Sequence, residues 1–187
     1  MWVKICGITR YEDALAAVDL GADAIGFVLT DRSRRRADSK SLREWIRYIQ
    51  GVEKVGVFLD EDPVHIVRLG TELGLDTVQI HSEIGPEHMP LYERFHIIYA
   101  MKVFRQDMLP DIDCRLIIDP STGSGKKGAW KRLPIPYILA GGLAPDNVRK
   151  AIRQACPTGV DVSSGVESCP GIKDKILIEK FIQEAKS

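Results

Sequence analysis

Asparagine is almost absent from this chain: among 187 residues, Asn147 is the only one. A scarcity of thermolabile amides is a compositional trait of heat-adapted proteins. Cysteine is sparse and unpatterned. Cys6, Cys114, Cys156 and Cys169 form no C-x-x-C pair, and the four histidines show no ligand spacing. That speaks against a metal site and suits a reducing, cytoplasmic setting. An excess of one charge is missing too, since 26 basic and 26 acidic side chains leave a formal net charge of zero. Without a global field, neither nucleic acid nor a membrane surface is an expected partner. No apolar run approaches the roughly 18 residues needed to cross a bilayer. Strand-forming sequence begins at Trp2 or Val3, so no signal peptide is expected. The remaining composition, 44% hydrophobic and 28% charged, is ordinary for a globular protein. The length predicts a single domain, residues 1–187, with a sizeable core.

Short apolar, β-branched runs alternate with helical patterns nearly to the end. Strands are predicted at 2–6, 24–29, 54–59, 77–80, 97–103, 115–118, 137–140 and 159–162. Helical stretches fall near 11–20, 39–50, 63–73, 145–154 and 173–185, with short helices at best near 86–94 and 105–111. Thr9 is placed to cap the first helix. Strands alternating with helices mean a parallel sheet covered by helices. Eight such units predict a closed (β/α)8 TIM barrel, with helices and loops trimmed to fit the short chain. The alternative is an open doubly wound sheet, but no Gly-rich turn follows the first strand to support a dinucleotide fold.

In a barrel, chemistry sits at the C-terminal strand ends. Strand one ends on Cys6, which shares a face with Lys4, because side chains alternate along a strand. Strand six is followed by Asp119, on the face of Ile117. A thiol and a carboxyl group facing one pocket are candidates for general base and general acid. A small buried cysteine and a turn aspartate are the plainer readings. Strand four presents Gln79 and His81. His81 is better placed for a substrate contact than for a metal, while His65, His88 and His96 read as structural. Gly141-Gly142 and Ser163-Ser164-Gly165 follow strands seven and eight, where barrel enzymes hold phosphate on backbone N–H groups. The arginine run, Arg32 and Arg34 to Arg36, offers a bidentate grip for a substrate carboxylate. Gly123-Ser124-Gly125-Lys126-Lys127-Gly128 misses the nucleotide-loop spacing and reads as a basic active-site loop or a solvated linker. Lys4 and Asp161 both face inward if the barrel closes, and an isolated buried charge is costly, so the two are expected to pair.

These tips in this order resemble the phosphoribosylanthranilate isomerase family. The resemblance rests on Lys4-Ile5-Cys6-Gly7-Ile8-Thr9, Gly21-Ala22-Asp23-Ala24-Ile25-Gly26-Phe27-Val28 and Val78-Gln79-Ile80-His81. It continues through Leu139-Ala140-Gly141-Gly142-Leu143 to Asp161-Val162-Ser163-Ser164-Gly165-Val166-Glu167. It implies a (β/α)8 fold, no cofactor, and an Amadori rearrangement of a phosphosugar bearing anthranilate, in tryptophan biosynthesis. The family's catalytic cysteine falls on Cys6 and its aspartate on Asp119. Its anthranilate-binding arginine falls on Arg35, with Arg34 and Arg36 adjacent in register. The family's Gly-Thr-Gly-Lys-Thr-Phe-Asp-Trp stands here as Gly123 to Trp130 without the Phe-Asp pair. The usual Pro and Tyr around the key arginine are also missing.

Opposed protonation of acid and base would require the Cys6 thiol to be pulled down by positive charge, from a cationic intermediate or from a barrel lysine such as Lys4. Two other readings stay open. One is a different phosphosugar barrel enzyme, which would need clustered metal ligands or additional tip lysines. The other is a catalytically silent phosphate-binding protein. The expected assembly is a monomer or homodimer.

Overall fold

All eight predicted strands form in the computed structural model, which describes residues 1–120 and 130–187. They are β1 (Trp2–Cys6), β2 (Ala24–Val28), β3 (Glu53–Phe58), β4 (Thr77–Ile80), β5 (His96–Met101), β6 (Arg115–Ile118), β7 (Ile138–Leu139) and β8 (Gly159–Val162). Neighbours pair in parallel in chain order, and β8 pairs back onto β1 with Lys4 beside Asp161. The sheet therefore closes, which rules out the open alternative. Strands covered on both faces carry near-continuous apolar sequence, and every residue of β2 is buried.

The pleat sorts side chains into two layers. Val3, Ile5, Ile25 and Phe27 point outward into the core beneath the helices. Ala24, Val55, Ile98, Ala100, Ile117 and Ile138 fill the interior. At the lower mouth Arg115 pairs with Glu53 and lies 5.1 Å from the Trp2 ring centroid. This cluster closes the barrel floor on the face opposite the strand tips.

The helices are α1 (Tyr11–Asp19), α2 (Ser39–Trp45), α3 (Pro63–Leu73), α4 (Met89–Tyr92), α5 (Val148–Ala155) and α6 (Lys175–Lys186). Their boundaries follow local signals: Asp62 caps α3 through Val64 and His65 N–H, with Pro63 in the first turn and Gly74 left-handed at the end. Asp174 caps α6, which packs on α1 and α5. The expected trimming is visible in the single turn of α4 and in the 3-10 turn Gln106–Met108 that joins β5 to β6.

Two local expectations are corrected, and one element is new. Thr9 does not cap α1; Arg10 occupies that position without a side-chain cap, and the Thr9 hydroxyl donates to the Gly171 carbonyl instead. The stretch 39–50 is α2 followed by a 3-10 turn, Ile46–Tyr48. Beyond β8, a 3-10 turn (Ser164–Val166) leads into a small antiparallel hairpin, β9 (Glu167–Cys169) and β10 (Ile172–Lys173), that was not foreseen. The basic loop 123–128 lies outside the described residues.

Candidate active site

β1 carries Cys6 to the rim of the barrel on the inner face, where the residue is 7% exposed. Gly26, its partner on β2, makes the room: a Cβ there would lie 2.8 Å from the Cys6 sulfur and 3.0 Å from Lys4 Cε. Gly7 follows with φ of 75°, and a Cβ on it would meet Ser163 Oγ at 2.9 Å and Arg35 Cδ at 3.0 Å. The glycine after the thiol thus lets the loops following β2 and β8 close around it.

Below Cys6 the expected pair is formed. Lys4 Nζ donates to Asp161 Oδ1 at 2.8 Å and to Gln79 Oε1 at 3.0 Å. Burial opposes the Lys4 charge, but Asp161 and Cys6 together outweigh it and hold the ammonium's pKa above its ordinary value, while burial in turn pushes the Asp161 carboxyl up against the pull of Lys4. Because the Gln79 oxygen faces Lys4, its amide nitrogen, 2.9 Å from His81 Nε2, is the donor there. A neutral His81 consequently carries its proton on Nδ1. Partial desolvation of the ring and the Lys4 charge pull its pKa below the ordinary imidazole value, against the opposing pull of Asp119, so the ring is neutral near pH 7.

The Cys6 thiol departs from expectation. Burial pushes it above the ordinary thiol range; Lys4 and Lys173 pull it down, and Asp161 offsets part of that pull. Cys6 is therefore a thiol in the protein by itself, chiefly because burial disfavours the thiolate more than Lys4 and Lys173 favour it.

Cys6, Gln79, His81 and Asp161 line a bowl of about 690 Å³ at the C-terminal strand ends, together with Asp119, Arg35, Gly141, Gly142, Ser163 and Ser164. That volume suits a substrate-sized ligand. Gly141 and Gly142 both have positive φ, 87° and 66°. The lone asparagine staples this turn: Asn147 Oδ1 accepts from Ala144 N–H and its amide donates to the Gly142 carbonyl, each at 2.9 Å. The predicted helix start near 145 therefore gives way to a turn, and α5 begins at Val148. Gly165 does not line the bowl. It packs behind it, where any Cβ would collide with the Leu143 carbonyl and part the β7 and β8 loops. Ser163 Oγ is buried and has no hydrogen-bond partner among the described residues.

The arginines separate clearly. Arg36 pairs with Asp31 at 3.0 Å and turns toward an outer cleft between α2 and α3. Arg32 pairs with Asp60 at 2.9 Å, with both side chains more than half exposed. Arg34 is exposed at the rim. Arg35 is held by Glu167, from Nε at 2.8 and 3.0 Å and from Nη2 at 2.8 Å. Glu167 and Lys173 escaped the sequence reading because the hairpin that carries them was missed; the terminal Glu167 of the Ser163-Ser164-Gly165-Val166-Glu167 motif was the available signal. His88 is a buried structural group accepting from Gly85 N–H at 3.1 Å, while His65 and His96 are exposed away from the bowl. Among the described residues, no cluster of three or more His, Cys, Asp or Glu is placed to hold a metal.

A family model described as N-(5'phosphoribosyl)anthranilate (PRA) isomerase matches residues 3–184. The chain belongs to this family. An N-(5'-phosphoribosyl)anthranilate isomerase from Nitrosomonas eutropha is 38% identical, the match covering 99% of this chain and 96% of that one. The solved phosphoribosyl anthranilate isomerase from Thermotoga maritima superposes with a TM-score of 0.89 at 39% identity, covering 100% of this chain and 98% of that one. Another solved phosphoribosyl anthranilate isomerase, in complex with reduced 1-(o-carboxyphenylamino)-1-deoxyribulose 5-phosphate, has a TM-score of 0.84 and 36% identity, with 100% and 98% covered. The Thermotoga maritima isomerase is further described as dimeric. Among the described residues of this chain, no helix is long and apolar enough to cross a membrane.

Proposed function

We propose that Cys6 and Asp119 are the base and acid of this isomerase, with Arg35 holding the anthranilate carboxylate and the β7 and β8 loops holding the phosphate. The reaction is the Amadori rearrangement of N-(5'-phosphoribosyl)anthranilate to 1-(2-carboxyphenylamino)-1-deoxyribulose 5-phosphate, a step of tryptophan biosynthesis. The observation that carries the residue assignment is convergence: Cys6 and Asp119, brought in by β1 and β6, line one bowl between Arg35 and the Gly141-Gly142 and Ser163-Ser164 loops. The solved relative bound to a reduced aryl-aminodeoxyribulose phosphate supports a substrate with one carboxylate end and one phosphate end.

In this mechanism Asp119 donates a proton to the ring oxygen as the C1–O bond opens. The amine lone pair forms a cationic Schiff base at C1, which acidifies the C2 proton. Cys6 removes that proton, and the C2–H electron pair becomes the C1–C2 double bond of a neutral enolamine. Protonation at C1 and loss of the C2 hydroxyl proton give the ketone. The protein's own cations do not offset the burial of Cys6, so the Schiff-base cation is the charge that makes it a base. Gln79 and His81 contact the sugar, His81 through its Nδ1–H. No cofactor is assigned a step. Residues 1–187 are taken as one domain, monomeric or homodimeric, and cytoplasmic.

Anthranilate fluorescence, followed with substrate generated in situ, tests the reading: consumption must depend on the protein. Arg35→Ala is expected to cost roughly 2–4 kcal/mol in kcat/KM, the scale of truncating a buried charge pair, whereas Arg32→Ala does little. Both are compared at fixed ionic strength, since screening affects all four arginines alike. If none of the four matters, the carboxylate assignment fails.

The phosphate end makes a separate prediction. Inorganic phosphate should compete with substrate, and Ser164→Asp, which sets a carboxylate beside the anion, should raise KM strongly with little effect on Tm. No competition together with an unchanged KM would remove the β7 and β8 loops from the phosphate site.

A further inference from the structure

Of the arginines in the 32–36 run, only Arg35 is gripped by a buried carboxylate. The Glu167 side chain is 4% exposed, and its counter-cation Lys173 is fully buried. Lys173 Nζ donates to Glu167 Oε1 at 2.9 Å and to the Ser163 carbonyl at 3.1 Å, while Gly171 N–H donates to the same Glu167 oxygen at 3.3 Å. A desolvated group of this kind is no efficient source of stability, because apolar residues of the same volume would serve as well or better. What it does supply is direction. A guanidinium has five N–H donors in one plane. Glu167 engages the edge formed by Nε and Nη2, which leaves the end formed by Nη1 and the second Nη2 proton. The Arg35 side chain is 23% exposed and lines the bowl, so that end is available to a ligand.

We propose that Glu167, neutralised by Lys173, is a positioning residue that locks the Arg35 guanidinium side-on and presents its free end to the substrate carboxylate. The proposal rests on the reading of Arg35 given above. Gly7 is part of the same device, since a Cβ there would press on Arg35 Cδ and Ser163 Oγ together. The pairing spans 132 residues of chain and binds the loop after β2 to the hairpin after β8. Arg35 N–H also donates to Ser33 Oγ at 3.0 Å, which fixes the backbone from which the guanidinium extends.

The test is a double-mutant cycle between Glu167→Gln and Arg35→Ala, read by steady-state kinetics and by the inhibition constant of inorganic phosphate. Glu167→Gln keeps the shape and removes the charge. It is expected to lower kcat/KM by roughly 10- to 100-fold, mainly through KM, the scale of misplacing a binding group near the reacting atoms. The inhibition constant of phosphate should stay unchanged, and in the Arg35→Ala background Glu167→Gln should cost nothing more. An equal loss in both backgrounds, a silent Glu167→Gln, or a matching weakening of phosphate overturns the proposal, because Glu167 would then be structural or idle. A silent Arg35→Ala instead removes the carboxylate grip itself, and the proposal with it. If Glu167→Gln alone fails to fold because Lys173 is left unpaired, Glu167→Gln with Lys173→Met balances the charge, and the same outcomes decide.

Discussion

Replacing Asp119 by Asn, or Cys6 by Ala, is expected to lower kcat by at least ~10²-fold, the lower end of what a positioned acid or base contributes. Neither change should disturb the fold much. Cys6 is a small side chain in a site already cleared by Gly26. Asp119 lies just beyond β6, where its backbone N–H still reaches the Met101 carbonyl at 2.8 Å whatever the side chain. The raised thiol adds a pH signature. A base must be deprotonated to act, and burial holds the free-enzyme Cys6 above the ordinary thiol range. Native kcat/KM should therefore climb with pH through neutrality and on past it, and Cys6→Ala should lose that limb. Near-normal turnover in either variant, measured by anthranilate fluorescence with an unchanged Tm, would take that residue out of the mechanism.

Lys4→Met is expected to destabilise the protein by about 3–5 kcal/mol, the cost of leaving one member of a buried ion pair unmatched. For a chain of this size that lowers Tm by roughly 6–20 °C. The reason is local: Lys4 is fully buried, Asp161 is 9% exposed, and the two charged groups meet at 2.8 Å. Removing both charges, as Lys4→Met with Asp161→Leu, should recover much of the loss, since apolar side chains of similar volume replace such pairs at little cost. The double variant should still be a poor enzyme. Lys4 also orients the Gln79 amide, and through it the His81 tautomer. An unchanged Tm in Lys4→Met would mean that the pair does not hold the barrel seam together.

Much of this site was legible because strand parity is a strong local rule. Alternation alone put Lys4 with Cys6 on one face of β1, and Ile117 with Asp119 on one face at the end of β6, which allowed both tips to face one pocket. Once closure was inferred, the Lys4–Asp161 pair followed from the cost of burying either charge by itself. The glycines of the β7 loop were legible as a turn. The helix beyond them was started too early because Asn147 resembles any polar residue in a helical run; only its two bonds to Gly142 and Ala144 show it to be the staple. Thr9 carried a capping signature, yet its hydroxyl went to Gly171, 162 residues away. The β9–β10 hairpin, two short strands around Pro170-Gly171, has too little periodicity to register.

Local pattern, then, was sufficient for the order of the eight barrel strands and for most of the side chains that reach their tips, because alternation and turn chemistry act within a few positions of one another. Three matters waited for the tertiary structure: which arginine is gripped by a buried carboxylate, which tautomer His81 holds, and which charges surround the buried Cys6 thiol. Each depends on a partner remote in sequence. Glu167 grips Arg35 across 132 positions, Lys4 sets Gln79 across 75, and Asp161 pairs with Lys4 across 157. Charge–charge energies in a desolvated bowl depend on distances of a few ångströms and on burial, and no spacing along the chain encodes either.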